Sequence, residues 1–114
     1  MTNIDSYLPL QEPTFYILLS LRGGEKHGYA ILKDIKELSS EQVKLSTGTL
    51  YGALYRLLDQ SLIEQIELVD LARGKKVYRL THSGLEVFDA EVTRMKHLLL
   101  AVNKKVETIG GQQA

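Results

Sequence analysis

Apolar positions along this chain fall into helical rows, interrupted once by a pair of short alternating runs. Pro13 suits a first helical turn, where its missing N–H costs nothing, and Phe15, Leu18, Leu19 and Leu21 then mark a short helix that Gly23-Gly24 stops. Tyr29, Ile31, Leu32, Ile35 and Leu38 recur at mostly helical intervals and mark a second helix, ending at Ser39-Ser40. Ser46, Thr47 and Thr49 offer hydroxyls to the unpaired N–H groups of a first turn, so a third helix starts there and runs to about Gln60. Its inner row is Leu50, Ala53, Leu54 and Leu57, with Leu58 at the edge. From Leu62 the period changes. Ile63, Ile66 and Leu68, then Val77, Tyr78 and Leu80, form β-favouring runs around the segment 70–76, which predicts a hairpin. Residues 1 to 11 carry no regular pattern.

The most regular row comes last, after Thr81, which can cap it. Leu85, Phe88, Val92, Met95, Leu99, Val102, Val106 and Ile109 are separated by 3, 4, 3, 4, 3, 4 and 3 residues, the alternation that keeps one apolar seam turned toward a partner helix. Acidic Glu86, Asp89 and Glu91 precede basic Arg94, Lys96, Lys104 and Lys105, matching the helix dipole. The helix is expected to end at Gly110-Gly111. About 24 residues of helix span roughly 36 Å. The seam can pack on its own small domain, but such a domain cannot cover that length, so part of the seam is expected to meet a second subunit. A symmetric pair is the commonest oligomer.

Opposite the inner row of the third helix lie Gly48, Gly52, Tyr55, Arg56 and Asp59. Glycine in a helix costs about 1 kcal/mol relative to Ala. Two outward glycines are explained by close approach of a partner to the backbone, by packing of another helix, or by chance. At the hairpin, Arg73, Lys75, Lys76 and Arg79 stand against Asp70, an excess of three positive charges. Such a cluster suits phosphates, and it equally suits an edge strand that must resist aggregation.

Composition narrows the classes. A chain of 114 residues gives one core, and the absence of Cys excludes disulfides, thiolate metal sites and Cys nucleophiles. Lys and Arg total 14 and so do Asp and Glu, so any surface for a polyanion must be local. No apolar run nears the ~20 residues that cross a bilayer and no leader pattern opens the chain, so a cytoplasmic protein with no membrane partner is expected. His27, His82 and His97 sit in separate elements, which leaves no metal-ligand spacing. No phosphate loop and no acid and base pair are visible. Neither an enzyme nor a cofactor is expected.

The sum is a mainly α fold with a two-stranded β-hairpin: a winged helix-turn-helix over residues 10–81 and a long C-terminal dimerisation helix over 82–109. The third helix would enter a major groove and the hairpin would act as a wing on phosphates or the neighbouring minor groove. DNA contacts are then expected from Ser46, Thr47, Gly48, Thr49, Tyr51, Tyr55, Arg56, Arg73, Lys75 and Lys76. Tyr51 lies on the helix flank, where packing and phosphate contact are both open to it. Tyr29 and Tyr78 read as packing residues. The dimer seam is expected at Leu85, Phe88, Val92, Met95, Leu99, Val102 and Val106, with Phe88 and Met95 also candidates to line an effector pocket.

Gly48-Thr49-Leu50-Tyr51, Leu54, Arg56-Leu57, Leu62-Ile63, Lys76-Val77-Tyr78-Arg79-Leu80-Thr81 and Gly84, with His27-Gly28-Tyr29-Ala30-Ile31 upstream, resemble the PadR family of bacterial transcriptional regulators. The likeness covers roughly residues 10–100, and the single C-terminal helix is similar to the smaller subfamily. It implies a dimeric repressor on double-stranded DNA at an inverted-repeat operator, often released by a small aromatic or amphipathic effector. It places DNA contacts on Thr47, Thr49, Tyr51, Lys75 and Lys76. Some relatives stack planar drugs between their long helices on tryptophan, a residue this chain lacks. Gln60-Ser61 stand where the family commonly places Gly. A second reading keeps the winged-helix dimer as a protein-interaction or ligand-sensing module that does not itself bind DNA.

Overall fold

The computed structural model describes residues 3–66 and 76–113, with side chains as far as Val106. A single 3-10 turn at Ile4–Tyr7 leads into α1 (Glu12–Arg22), β1 (Lys26–His27), α2 (Gly28–Leu38), α3 (Thr47–Asp59), β2 (Ile63–Ile66), β3 (Val77–Leu80) and α4 (His82–Gln113). Buried Ile17, Leu18 and Leu21 of α1, Ile31 and Ile35 of α2, and Leu50, Leu54 and Leu57 of α3 meet in one core with Leu62, Ile63, Tyr78, Val87 and Phe88. The apolar rows of the first three helices thus converge where their spacing aims them. Leu8 and Leu10 of the unpatterned N-terminal segment also pack against this core.

Three features differ from the sequence expectation. The hairpin has a third strand: Lys26 and His27 pair antiparallel with Tyr78 and Val77, giving the order β1-β3-β2. Two residues are too few to show a strand period, so only the pairing reveals β1. Lys26 also reaches the Ser20 carbonyl and lies 3.8 Å from Asp34, whose carboxylate accepts from the buried Ser20 hydroxyl at 2.7 Å. That polar knot fixes β1 to α1 and α2. Secondly, α4 does not stop at Gly110-Gly111 but stays helical to Gln113. Glycine ends a helix by adopting positive φ, and without that it only weakens the helix. Thirdly, the outer side of α2 is barer than its apolar row suggests. Tyr29 is 73% exposed and Leu38 is exposed, while Tyr78 is buried as expected.

The root of α4 is tied closely to the core. Thr81 caps it, accepting from Gly84 N–H at 3.0 Å while its hydroxyl donates to the Ser61 carbonyl at 2.7 Å. The Leu62 carbonyl accepts from Thr81 N–H at 3.1 Å and lies where a Cβ on Gly84 would be only 1.9 Å away. Phe88 stacks on Phe15 with ring centroids 5.7 Å apart and is 6% exposed, so it belongs to the protomer's own core. Next to it Glu91, which reads in the sequence as an interleaved surface charge, is 2% exposed. It accepts from Leu10 N–H at 2.7 Å and from Arg94, clasping the N-terminal segment to α4. The Arg94 hydrogen bond holds the Glu91 carboxyl below its usual range, against the opposing effect of burial, and the Leu10 N–H adds to the lowering.

Candidate nucleic-acid interface

The start of α3 is built by its cap. Ser46 Oγ accepts from Thr49 N–H at 3.1 Å and donates to Thr49 Oγ1 at 2.9 Å. This leaves Thr47 and Gly48 exposed at the helix entrance, with no acidic residue in the first turn to cancel the positive end of the dipole. Ser46 and Thr49 hydroxyls are thus engaged with each other in the cap, while their exposed edges still face solvent.

Along the outer side of α3 two rows run at helical spacing, Thr47-Tyr51-Tyr55 and Gly48-Gly52-Arg56. Tyr55 is 77% exposed. A Cβ on Gly48 would meet nothing within 4 Å, and one on Gly52 would meet only the Arg56 guanidinium at 3.7 Å. No packing inside the described protomer demands either glycine. Helix packing within this fold, one of the explanations open from sequence, is therefore not their cause, which leaves close approach of a partner and chance.

Tyr51 takes the packing role and stays accessible to solvent as well. Its ring crosses to α2 so closely that a Cβ on Gly28 would sit 2.6 Å from the Tyr51 hydroxyl, yet nearly half of the residue is exposed. Beneath it, burial first and neighbouring Tyr51 second push the Tyr78 phenol above its usual range. His27 completes the junction, its Nδ1 accepting from Ala30 N–H at 3.3 Å as the cap of α2. The first turns of α2 and α3 consequently share an edge. Sequence reading placed Tyr51 on a flank but missed its seat over Gly28, because the contact joins residues far apart in the chain.

On the wing, Lys76 is exposed beside β3, whereas Arg73 and Lys75 lie outside the described residues. Arg79 is not a free cation of the basic corner: its Nε donates to Glu64 Oε1 at 2.6 Å across the β2–β3 pair. Exposed His82 lies 3.0 Å from Glu86, and no group of three described His, Asp or Glu residues is placed to hold a metal.

The seam of α4 divides. Leu85 and Val92 are half-buried and Phe88 buried on the protomer's own body, while Met95, Leu99, Val102 and Val106 are exposed. Leu98 and Leu100 are exposed alongside them. Phe88 and Met95 are therefore placed apart, one in the core and one on the open rod. Ile109 is beyond the described side chains.

This arrangement of capped third helix, three-stranded sheet and projecting rod coincides with a match to the model of the transcriptional regulator PadR-like family over residues 17–90. The chain belongs to the PadR-like family. Its members are transcriptional regulators rather than enzymes. The chain is 27% identical to a transcriptional regulator from Clostridium thermocellum, covering 89% of this chain and 94% of that one, with a TM-score of 0.67. It is 28% identical to Bacillus subtilis PadR, solved in complex with operator DNA, over 74% of this chain and 48% of that one, with a TM-score of 0.64. A protein of 37.1 kDa from a Streptomyces fradiae transposon, TN4556, is 35% identical over 83 residues. The match takes in 72% of the PadR-like chain but only 22% of that relative's length. No described helix is long and apolar enough to cross a membrane.

Proposed function

We propose that the chain is a homodimeric, sequence-specific DNA-binding repressor that recognises an inverted-repeat operator through α3 and the wing. The observation that carries this reading is the outer side of α3: an entrance without acid, two glycines that the protomer's own packing does not require, and an exposed Tyr55 and Arg56 beside them. Backbone left bare in this way allows a helix to approach groove walls closely, while Thr47 and the first N–H groups face phosphates. Tyr55 and Arg56, further along, reach base edges or backbone. The likeness to B. subtilis PadR, a protein solved with operator DNA, supports the same assignment.

The open half of α4 supplies the second subunit's contact. Exposed Met95, Leu99, Val102 and Val106 form a continuous apolar stripe on a rod, a surface that a copy of the same rod covers by knobs-into-holes packing. Two recognition helices would then meet half-sites about one helical turn apart, near 34 Å. Release by a small aromatic or amphipathic effector would use space around Met95 between the rods, without Phe88. Thermal-shift screening with planar aromatics tests whether such an effector binds, and gel shift with the hits tests the release.

Enrichment of bound fragments from genomic DNA, followed by gel shift at stated salt, tests the central reading. Replacing Lys75 and Lys76 by Ala is expected to weaken binding to all sequences and flatten its salt dependence. Wild-type protein that selects no sequence would overturn DNA recognition. The zero net charge and the Glu64–Arg79 pairing favour, as the second reading, an interaction or sensing module without DNA affinity.

A further inference from the structure

We infer that the cleft between the N-terminal segment and α3 binds a small monocarboxylate with a compact apolar body, and that this ligand draws Arg56 away from operator DNA. The withdrawal rests on the DNA-binding reading above; the ligand site itself does not, and it lies apart from the space between the rods. The cleft measures about 240 Å³. Tyr7, Leu10, Gln11 and Thr14 line it on one side. Ala53, Arg56, Leu57 and Gln60, at the spacing of a single helix face, line it on the other. Buried Ala53, Leu57 and Leu62 give it an apolar floor.

Charge selects the ligand. Arg56 is the one charged residue among those lining the cleft, and its guanidinium has no hydrogen bond or ion pair to the described residues. A guanidinium and a carboxylate match as a planar two-point pair, and one cation balances a monoanion but leaves a phosphate dianion half uncompensated. Gln11, Thr14 and Gln60 make no side-chain hydrogen bond to the described residues, so two amides and a hydroxyl are open to the carboxylate's remaining lone pairs. The N-terminal wall is held in place before a ligand arrives. Leu10 N–H donates to the buried Glu91 carboxylate at 2.7 Å, and the Gln11 carbonyl accepts from Phe15 N–H at 2.9 Å. Binding therefore carries little cost of ordering that wall.

Position supplies the consequence. Arg56 closes the exposed row Gly48-Gly52-Arg56, and its Nη1 lies 3.7 Å from where a Cβ on Gly52 would stand. In that pose the guanidinium is on the side of α3 proposed to face DNA, while the same residue borders the cleft. One guanidinium cannot serve both. Paired with a carboxylate above Ala53 and Gln60, it leaves the Gly52 side.

The test uses cyclohexanecarboxylate at millimolar concentration, with cyclohexanecarboxamide as its uncharged twin, and follows the backbone amide signals of the full chain. The carboxylate should shift Thr14, Ala53 and Gln60 and leave Leu99 and Val102 unmoved, and the carboxamide should bind roughly tenfold more weakly for want of the charged pair. Saturating carboxylate should lower operator affinity in gel shift by roughly 5–150-fold, the usual span of coupling between two sites. Arg56→Gln, a change at an exposed residue, should abolish carboxylate binding. Thr14→Phe fills the cleft and should keep wild-type operator affinity while losing its response to the carboxylate; thermal melts check that both variants are folded. Equal binding of the two probes, or signal shifts confined to the rods, would overturn the site. Carboxylate binding that leaves operator affinity unchanged would overturn the withdrawal of Arg56. Wild-type protein that selects no duplex would overturn the withdrawal together with the DNA reading, while the amide signals still decide the cleft.

Discussion

Two halves of α4 share one apolar spacing and meet different surroundings. In the first half Val87 and Phe88 are buried, Leu85 and Val92 half-buried, and even an acid, Glu91, is enclosed with partners. In the second half Met95, Leu98, Leu99, Val102 and Val106 stand exposed. The helix has 32 residues, roughly 48 Å, and the protomer's body reaches only its root. The radius of gyration of 17.3 Å shows the consequence, since a compact chain of this length would have about 13 Å. Spacing thus specifies a face, while burial depends on what else is present. The first half completes one protomer and the second is free to join two.

Charging the open half of α4 should have the largest effect. Leu99→Glu with Val102→Glu should leave the protomer's thermal unfolding largely intact yet convert the protein to a monomer in sedimentation at micromolar concentration. Operator affinity should then fall by roughly 10²–10⁴, the usual gain from tethering two sites. A variant still dimeric would place the subunit contact elsewhere.

Charging the rod leaves the root alone; Gly84→Ala attacks the root. Its new Cβ would lie 1.9 Å from the Leu62 carbonyl oxygen and 2.9 Å from its carbon, atoms of backbone that cannot swing aside. Separation of α4 from the β2 entrance should cost about 3 kcal/mol in urea unfolding at fixed protein concentration, the upper end of overpacking effects. Unchanged stability would show that the root is not tightly docked.

The buried acid gives a smaller and pH-dependent effect. Because its carboxyl is held below the ordinary value of 4.5, the ionised Glu91 contributes stability that is fully present above that value and is lost as pH falls through the lowered one. Glu91→Ala leaves Leu10 N–H without its acceptor and should cost about 1–3 kcal/mol at neutral pH. Glu91→Gln keeps an acceptor and should mainly flatten the acid limb of stability, read by denaturant midpoints across pH. An unaltered acid limb would remove the clasp from the account.

The same root and rod contrast explains what was legible in the sequence. Inner rows such as Leu50, Ala53, Leu54 and Leu57 are read directly, since each residue's burial follows from its own helix's period. The winged architecture and the PadR likeness follow from such rows and from local motifs. Features that depend on long-range encounters were not legible: β1 against β3, Tyr51 over Gly28, Glu91 beneath Leu10, Arg79 tied to Glu64. For the candidate site, the exposed rows of α3 could be read from spacing, whereas the seat of Tyr51 over Gly28 could not, because it forms only when α2 and α3 pack together.

The smallest effect on stability is the most diagnostic for the outer side of α3. Gly52→Ala finds room, with only the flexible Arg56 guanidinium 3.7 Å away, so the protein alone has no objection to it. Helix propensity then predicts a gain of up to about 1 kcal/mol in denaturant unfolding. If groove walls approach this backbone, the added methyl weakens operator binding in gel shift although the protein has become more stable. Stability and affinity moving in opposite directions is an outcome that general damage to the fold cannot produce. A stabilised Gly52→Ala protein that binds its operator as tightly as wild type would show that DNA does not come close to Gly52, and the recognition surface would have to lie nearer the α3 entrance at Thr47 and Gly48.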